Sequence, residues 1–404
     1  MVKRAADVAV IGGGCIGINI AVALRQALPA SASVVVIEKE AACGRHASTR
    51  NSGVLHAGFY YAPGSLKARM TRDGNRLLSE FIEDRGLPIR RSGKLVVTRN
   101  KDELITLHEL HRRGIANGID VQLITEKDAM SIEPKAFTID SALWSPNTSV
   151  ADPVQVMRAQ VEHAVENGVD IQTGCQLHRA DVLDSGVVRL STNRGTLDAG
   201  HLVNAAGVHA DRIAAMLGAG RGYEVIPFKG LYVQCSDDFS LNTNVYPVPN
   251  IHQPFLGTHL TVCAKGGVKV GPTALPAWSR ENYEGIPFAH PLETVQIAMR
   301  LARLVATDSE GIRTLALQEA TKCWRRALMA DAATLIRGPA PPSGRWLPPG
   351  IRAQLMRDGK FVHDFVVESG PRSTHVLNAV SPGWTCAIPF ARHVVHEFVL
   401  PALA

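Results

Sequence analysis

The apolar and polar positions open in a recognisable rhythm. A short apolar run, "DVAVI" (7–11), leads into a glycine cluster, a helix-spaced stretch from about Cys15 to Leu28, and a second apolar run, "SVVVIE" (33–38). Runs of this length around a helical period predict a β-α-β unit. Helical spacing returns at 64–85, carried by Leu66, Met70, Leu77, Leu78, Phe81 and Ile82, and again at about 101–117. A better-marked helix begins at "ADPVQVMRAQVEHAVENG", with Asp152 as N-cap, Pro153 in the first turn, a stripe of Val154, Met157, Val161 and Val165, and Gly168 past its end. The segments "VDIQT", "VVRLS" and "HLVNA" read as strands, followed by a β-rich middle with "GLYVQC", "GTHLTVC" and "GVKVGP". Residues 288–336 turn helical, and "RGPAPPSGRWLPPG" (337–350) reads as a Pro/Gly-rich connector. The strands "FVHDFVVE" and "THVLNAV" and a closing helix at 384–399 complete the chain, with no internal repeat. This order predicts an α/β protein, α+β overall: a Rossmann-like cofactor domain interrupted by a second domain with an antiparallel sheet.

The 404 residues, 46% hydrophobic and 20% charged, are ordinary for a globular protein with a sizeable core. The formal charge of +6 is spread along the chain, and aromatic residues are only 5%, which argues against nucleic-acid binding and favours small anionic ligands or an anionic membrane surface. Seven cysteines stand far apart with no C-x-x-C pair, so neither a structural zinc nor a disulfide framework is expected, and a reducing compartment fits. "MVKR" before an apolar stretch and "ALPASAS" imitates a signal peptide, but Asp7 and Asn19 interrupt the apolar run. No uninterrupted apolar run is long enough to predict a membrane-spanning helix.

Candidate chemistry starts in the glycine cluster. Gly12, Gly14 and Gly17 have G-x-G-x-x-G spacing after a strand and before a helix: the first permits the tight turn, the second lets backbone approach a pyrophosphate, and the third lets helix and strand pack closely. Glu38 ends the second strand 21 positions after Gly17, where an acid accepts from ribose hydroxyls. Together they predict a bound dinucleotide, without deciding between NAD and FAD. The small-residue turns "NAAG" (204–207) and "SPGWT" (381–385) suit the distant backbone contacts that a flavin needs.

The ordered motifs "VIGGGCIG", "IEKE", "RNSGVLHAGFYYAPGSLKA", "GKLVV", "NAAG", "VYPVPN", "PFLGTHLT", "VKVGP", "GIRAQL" and "HVLNAVSPGWTCAIP" span nearly the whole chain. In them the chain resembles the D-amino-acid-oxidase-type FAD-dependent oxidoreductases, and among these the L-2-hydroxyglutarate dehydrogenases. The resemblance implies non-covalent FAD, oxidation of a small dicarboxylate 2-hydroxy acid by hydride transfer to flavin N5, and electrons passed to a quinone or other respiratory acceptor or to oxygen. It implies an FAD-binding domain at 1–85, 145–225 and 350–404, a substrate domain at 86–144 and 226–349, and a cytoplasmic protein that leaves peripheral contact with the inner membrane open. It places His56 as the first candidate catalytic group, since removing a hydroxyl proton needs a base near neutrality, and His259 is the second candidate or, instead, a holder of a substrate carboxylate. Lys229, Tyr246 and Arg352 are the candidates for the substrate's carboxylates. The candidate FAD contacts are Gly12, Gly14, Gly17, Glu38, Lys39, Ser48, Thr49, Asn51, Ser52, Gly53, Leu177, Ala206, Gly207, Gly383, Trp384 and Thr385; no metal is expected. The chain departs from the family at Arg50, where histidine is common, and at Trp384, which adds a large ring. An amine- or amino-acid-oxidising flavoenzyme is the alternative, and a flavin-binding protein without turnover the rival from another class.

Overall fold

The computed structural model describes residues 4–251, 253, 255–284, 290–379 and 381–404. The first residues of "MVKR", Pro254 of "PFLGTHLT" and Val380 of the last motif lie outside them.

Strand Arg4–Ile11, helix Cys15–Ala27 and strand Val34–Ile37 form the β-α-β unit. Within the first strand Val8 and Val10 pack against one core, and Ala9 and Ile11 against another. Successive side chains of a strand point to opposite faces, so a strand covered on both sides reads as one apolar run. The sheet around it has eight strands. Arg4–Ile11 runs parallel to Val34–Ile37 and to Gly195–Asn204, and Val34–Ile37 runs parallel to Asp170–Gln172. Leu177–Val182 and Val188–Thr192 extend the sheet antiparallel beyond Gly195–Asn204, whose far end also pairs in parallel with Ser373–Asn378. Residues of the helices Cys15–Ala27, Leu66–Asp84, Pro153–Glu166 and Gly383–Val394 fill the core on one face.

A second sheet of ten strands is mostly antiparallel. Nine of them run from Lys360–Phe361 through Ser343–Arg357, Tyr223–Cys235, Val268–Gly271, His259–Val262, Asn244–Pro247, Lys94–Val97 and Ser141–Ser145 to Gln122–Thr125, and the tenth, Leu275–Pro276, pairs with Tyr223–Cys235 off this path. The sheet's one parallel contact joins Lys94–Val97 to Asn244–Pro247. A small third sheet, Val54–Leu55, Ser149–Ala151 and Ile89–Arg90, delivers the chain to His56.

Two expectations are corrected. Residues 337–350 are no plain connector: Ser343–Arg357 is a strand paired with Tyr223–Cys235 from Cys235–Ser343 to Tyr223–Arg357. Pro348 and Pro349 fall where the register shifts, between the pairs Tyr232–Leu347 and Gly230–Gly350. A proline has no N–H to give to the ladder, so a bulge is where it fits. In helix Pro153–Glu166, Asp152 caps the Val154 N–H at 2.9 Å as expected, but Val154 and Val165 are exposed. The buried face is Val156, Met157, Gln160 and Ala164, one step round from the expected stripe. All seven cysteines are free thiols, and no helix among the described residues is long and apolar enough to cross a membrane.

Candidate active site

A cavity of about 680 Å³ is lined by the glycine turn, the loop 44–56, residues 205–209, the start of helix Gly383–Val394, and, from the second sheet, Tyr232, His259 and Arg352. Its dinucleotide end is built by close backbone contact. Gly12 has φ +109°, and a Cβ there would lie 2.6 Å from the Ala205 carbonyl oxygen. One on Gly17 would lie 2.0 Å from the Gly12 carbonyl, so the strand-to-helix turn closes only with glycine at both. Helix Cys15–Ala27 starts at Gly14 with no side-chain cap, leaving its N-terminal dipole turned to the cavity that Gly14 lines. Glu38 also lines the cavity, its carboxylate held by the N–H of Gly13 at 2.7 Å and of Glu40 at 2.8 Å. The other end offers a broad apolar wall: Trp384 is buried there, and its indole N–H has no partner among the described residues. Cradle, acid and ring-sized wall fit a dinucleotide carrying a flat ring system.

The cavity is also lined by titratable groups. His56 leaves strand Val54–Leu55, and its backbone N–H reaches the Thr385 hydroxyl at 3.3 Å. That hydroxyl donates to the Val54 carbonyl at 3.2 Å, so the start of helix Gly383–Val394 fixes the strand that presents His56. Burial pushes His56 well below the ordinary histidine range, and the charges of Lys94, His259 and Arg352 add to it. His259 opens strand His259–Val262 and stacks on Tyr246 with ring centroids 3.7 Å apart. Its Nδ1 donates to the Gly257 carbonyl at 2.9 Å; burial keeps the ring neutral, so Nε2 is an acceptor. Arg352 sits with its guanidinium 5.6 Å from the Phe255 ring and lowers the Tyr232 phenol, whose pKa burial raises. No carboxylate pairs with Arg352 among the described residues.

The structure brings Gly12, Gly14, Glu38, Lys39, Ser48, Asn51, Ser52, His56, Leu177, Ala206, Gly207, His259, Arg352, Gly383, Trp384 and Thr385 to this one cavity. It leaves Gly17, Thr49, Gly53, Tyr246 and Lys229 off the wall. Gly53 is needed for packing, since a Cβ would lie 2.2 Å from the Ala151 carbonyl oxygen. Thr49 spends its hydroxyl on the Gly44 carbonyl at 2.6 Å, and Lys229 donates to Asn282 at 3.0 Å. Asn51 is bound within its own loop, to the carbonyls of Ala47 and Ser48 and the Gly53 N–H. Ser48 accepts the Cys15 N–H at 2.9 Å.

Sequence reasoning missed three features. Lys94 is fully buried, with Nζ 3.4 Å from His56 Nδ1; the motif "GKLVV" contains it, but nothing in the spacing marks it for the site. Glu281 and Tyr283 reach the cavity from a stretch with no recognisable motif. Glu281 pairs with Lys39 at 2.8 Å and His209 at 2.6 Å, and Tyr283 lies 4.4 Å under the Arg50 guanidinium.

The sequence model described as FAD dependent oxidoreductase matches residues 7–397. The chain belongs to this family. L-2-hydroxyglutarate dehydrogenase of Escherichia coli K12 is 31% identical over 397 residues, covering 97% of this chain and 92% of the relative. The human mitochondrial L-2-hydroxyglutarate dehydrogenase is 30% identical over 418 residues, covering 97% and 88%. Among solved structures, L-alpha-glycerophosphate oxidase of Mycoplasma pneumoniae, with FAD bound, superposes with a TM-score of 0.75 at 24% identity over 98% of this chain and 94% of that one. Glycine oxidase of Geobacillus kaustophilus gives 0.70 at 19% over 99% and 95%. The cofactor of this FAD-dependent oxidoreductase is FAD, and the cavity's dinucleotide end fits it.

Proposed function

We propose that this FAD-dependent oxidoreductase oxidises L-2-hydroxyglutarate, or a close 2-hydroxy acid, to the 2-oxo acid, and passes the electrons to a respiratory acceptor or oxygen. The observation that carries the reading is a neutral, buried imidazole, His56, on the wall of a cavity that also presents the guanidinium of Arg352, which pairs with no carboxylate among the described residues. FAD, when bound, supplies the acceptor for the electron pair of the C2–H bond, which no side chain can store.

In this reading His56 Nε2 takes the C2 hydroxyl proton. Arg352 holds the adjacent carboxylate, where burial makes each charged hydrogen bond stronger than in water. His259 presents an acceptor nitrogen, so it orients the substrate hydroxyl better than it would hold a carboxylate. Two cavity-lining cations are neither exposed nor paired with an acid among the described residues, Arg352 and Arg50, which supports a substrate with two carboxylates. Lys229, off the wall and bound to Asn282, is a poorer choice for the second one.

The test is product formation with an artificial electron acceptor. 2-Oxoglutarate should accumulate with L-2-hydroxyglutarate and stop in His56→Gln. Turnover of an N-methyl or D-amino acid in place of the hydroxy acid would transfer the same site to the amine-oxidising relatives.

A further inference from the structure

Lys94 is a lysine without a counter-ion among the described residues. It opens strand Lys94–Val97, flanked by Asn244 and Ser145 of the neighbouring strands, and is 0% exposed. Around its Nζ stand three rings, Tyr246 at 4.3 Å, Tyr60 at 5.2 Å and Phe59 at 5.6 Å, and no carboxylate pairs with it among the described residues. The polar atom that its side chain reaches is His56 Nδ1, at 3.4 Å. A buried ammonium with no acid is costly, and aromatic faces offset only part of that cost.

We propose that Lys94 acts through His56 as the terminal acceptor of the substrate's hydroxyl proton. As a neutral amine it accepts from His56 Nδ1–H, which leaves the Nε2 lone pair free to face the substrate. When Nε2 takes the hydroxyl proton, the Nδ1 proton passes to Lys94, and the imidazole is neutral again. The hydroxyl bond breaks to N–H, its electrons form the new C=O, the C2–H pair leaves to FAD, and the proton ends on an ammonium held by three rings. As an ammonium, Lys94 instead donates to Nδ1, forces the proton onto Nε2, and removes the base. The lysine thus selects the histidine tautomer, and this role rests on the reading of His56 as the base.

Burial lowers Lys94 to about 7, which puts the exchange between the two states in the working range. The charged and titratable groups that face the pair are His259, Tyr60, Tyr246 and Arg352. Burial holds His259 neutral and both phenols protonated, so of the groups that titrate around the pair the lysine is the one whose charge changes near neutrality.

The holoenzyme labelled with ¹⁵N-histidine shows the effect directly, with His56 assigned by its loss in His56→Gln. Its two nitrogen shifts should exchange identity with a midpoint near neutrality, Nδ1–H above it and Nε2–H below, and the exchange should vanish in Lys94→Met. Flavin reduction by L-2-hydroxyglutarate, followed anaerobically, should rise through the same midpoint. Lys94→Met and Lys94→Arg should each lower it by about ten- to a hundred-fold and flatten the rise, a share of the effect general acid–base groups exert. A parent enzyme whose His56 keeps one tautomer across neutrality overturns the proposal, even if neither variant folds. So does an unchanged pH profile in Lys94→Met. If no 2-hydroxy acid reduces the flavin, the substrate reading fails, while the tautomer exchange still decides the lysine's role.

Discussion

Burial, reinforced by Lys94, keeps the His56 imidazole neutral well below the usual histidine range, so acidification takes the base away near neutrality through the tautomer that a charged Lys94 imposes, not through protonation of the ring. A base positioned on the substrate hydroxyl contributes on the order of 10²- to 10⁴-fold. His56→Gln should therefore keep its flavin spectrum and lose about that much of the rate of flavin reduction; His259→Gln should lose less, since its ring orients the hydroxyl. Stopped-flow reduction of the two holoproteins compares them, and equal losses would make the two histidines a single unit. The arginines divide by substrate. Arg50→Gln should raise KM for a 2-hydroxy diacid well above its effect on a 2-hydroxy monoacid of similar length, whereas Arg352→Gln should raise both. Loss of FAD from the Arg50 variant would instead assign that guanidinium to the cofactor.

Among the elements, the glycine turn is where the sequence is most legible, because two of its three glycines, Gly12 and Gly17, are required by close contacts with backbone. Gly17→Ala forces a Cβ to within 2.0 Å of the Gly12 carbonyl, and the variant should purify with little FAD and a lowered Tm. The strand pair Gly195–Asn204 and Ser373–Asn378 carries a second expectation. It buries His201, bonded to Thr374 at 3.0 Å, and His375, bonded to Ser373 at 2.9 Å. Burial lowers each to about 4. Unfolded histidines titrate near 6.5, so the unfolded chain binds protons that the fold refuses. Stability should be unaffected by these two groups above pH ~6.5 and fall as the pH drops from there towards ~4. Thermal melts of the parent and of His201→Asn over this range check the slope, which the variant should reduce. The buried stripe of helix Pro153–Glu166 was harder to read: Val154, Val161 and Val165 recur at helical spacing as well as Val156, Met157 and Gln160, and only the packed neighbour decides which face turns in.

At the scale of the whole molecule, one cavity collects residues from distant parts of the chain: the glycine turn, the loop at 44–56, His259 and Arg352 from the second sheet, and the last helix. Motifs made most of these legible, since a short stretch has to meet backbone or cofactor in a fixed way. Lys94, Glu281 and Tyr283 were not legible, because their roles depend on what lies across the fold from them and not on their neighbours in sequence. Strand Ser343–Arg357 was hidden by its prolines, which mark turns in most contexts and here sit at a bulge. A site closed by so many segments should be held together by its cofactor. Removing FAD should lower Tm and loosen protection from proteolysis across both sheets, with readdition restoring both.

The most direct test is anaerobic titration of the purified holoprotein with L-2-hydroxyglutarate while the visible flavin bands are recorded. Bleaching to a stoichiometric end point by the L-enantiomer, with the D-enantiomer, glycine and glycerol phosphate leaving the spectrum unchanged, is the predicted result. A flavin that stays oxidised with the L-hydroxy acid, or that is bleached by an amino acid instead, would contradict it.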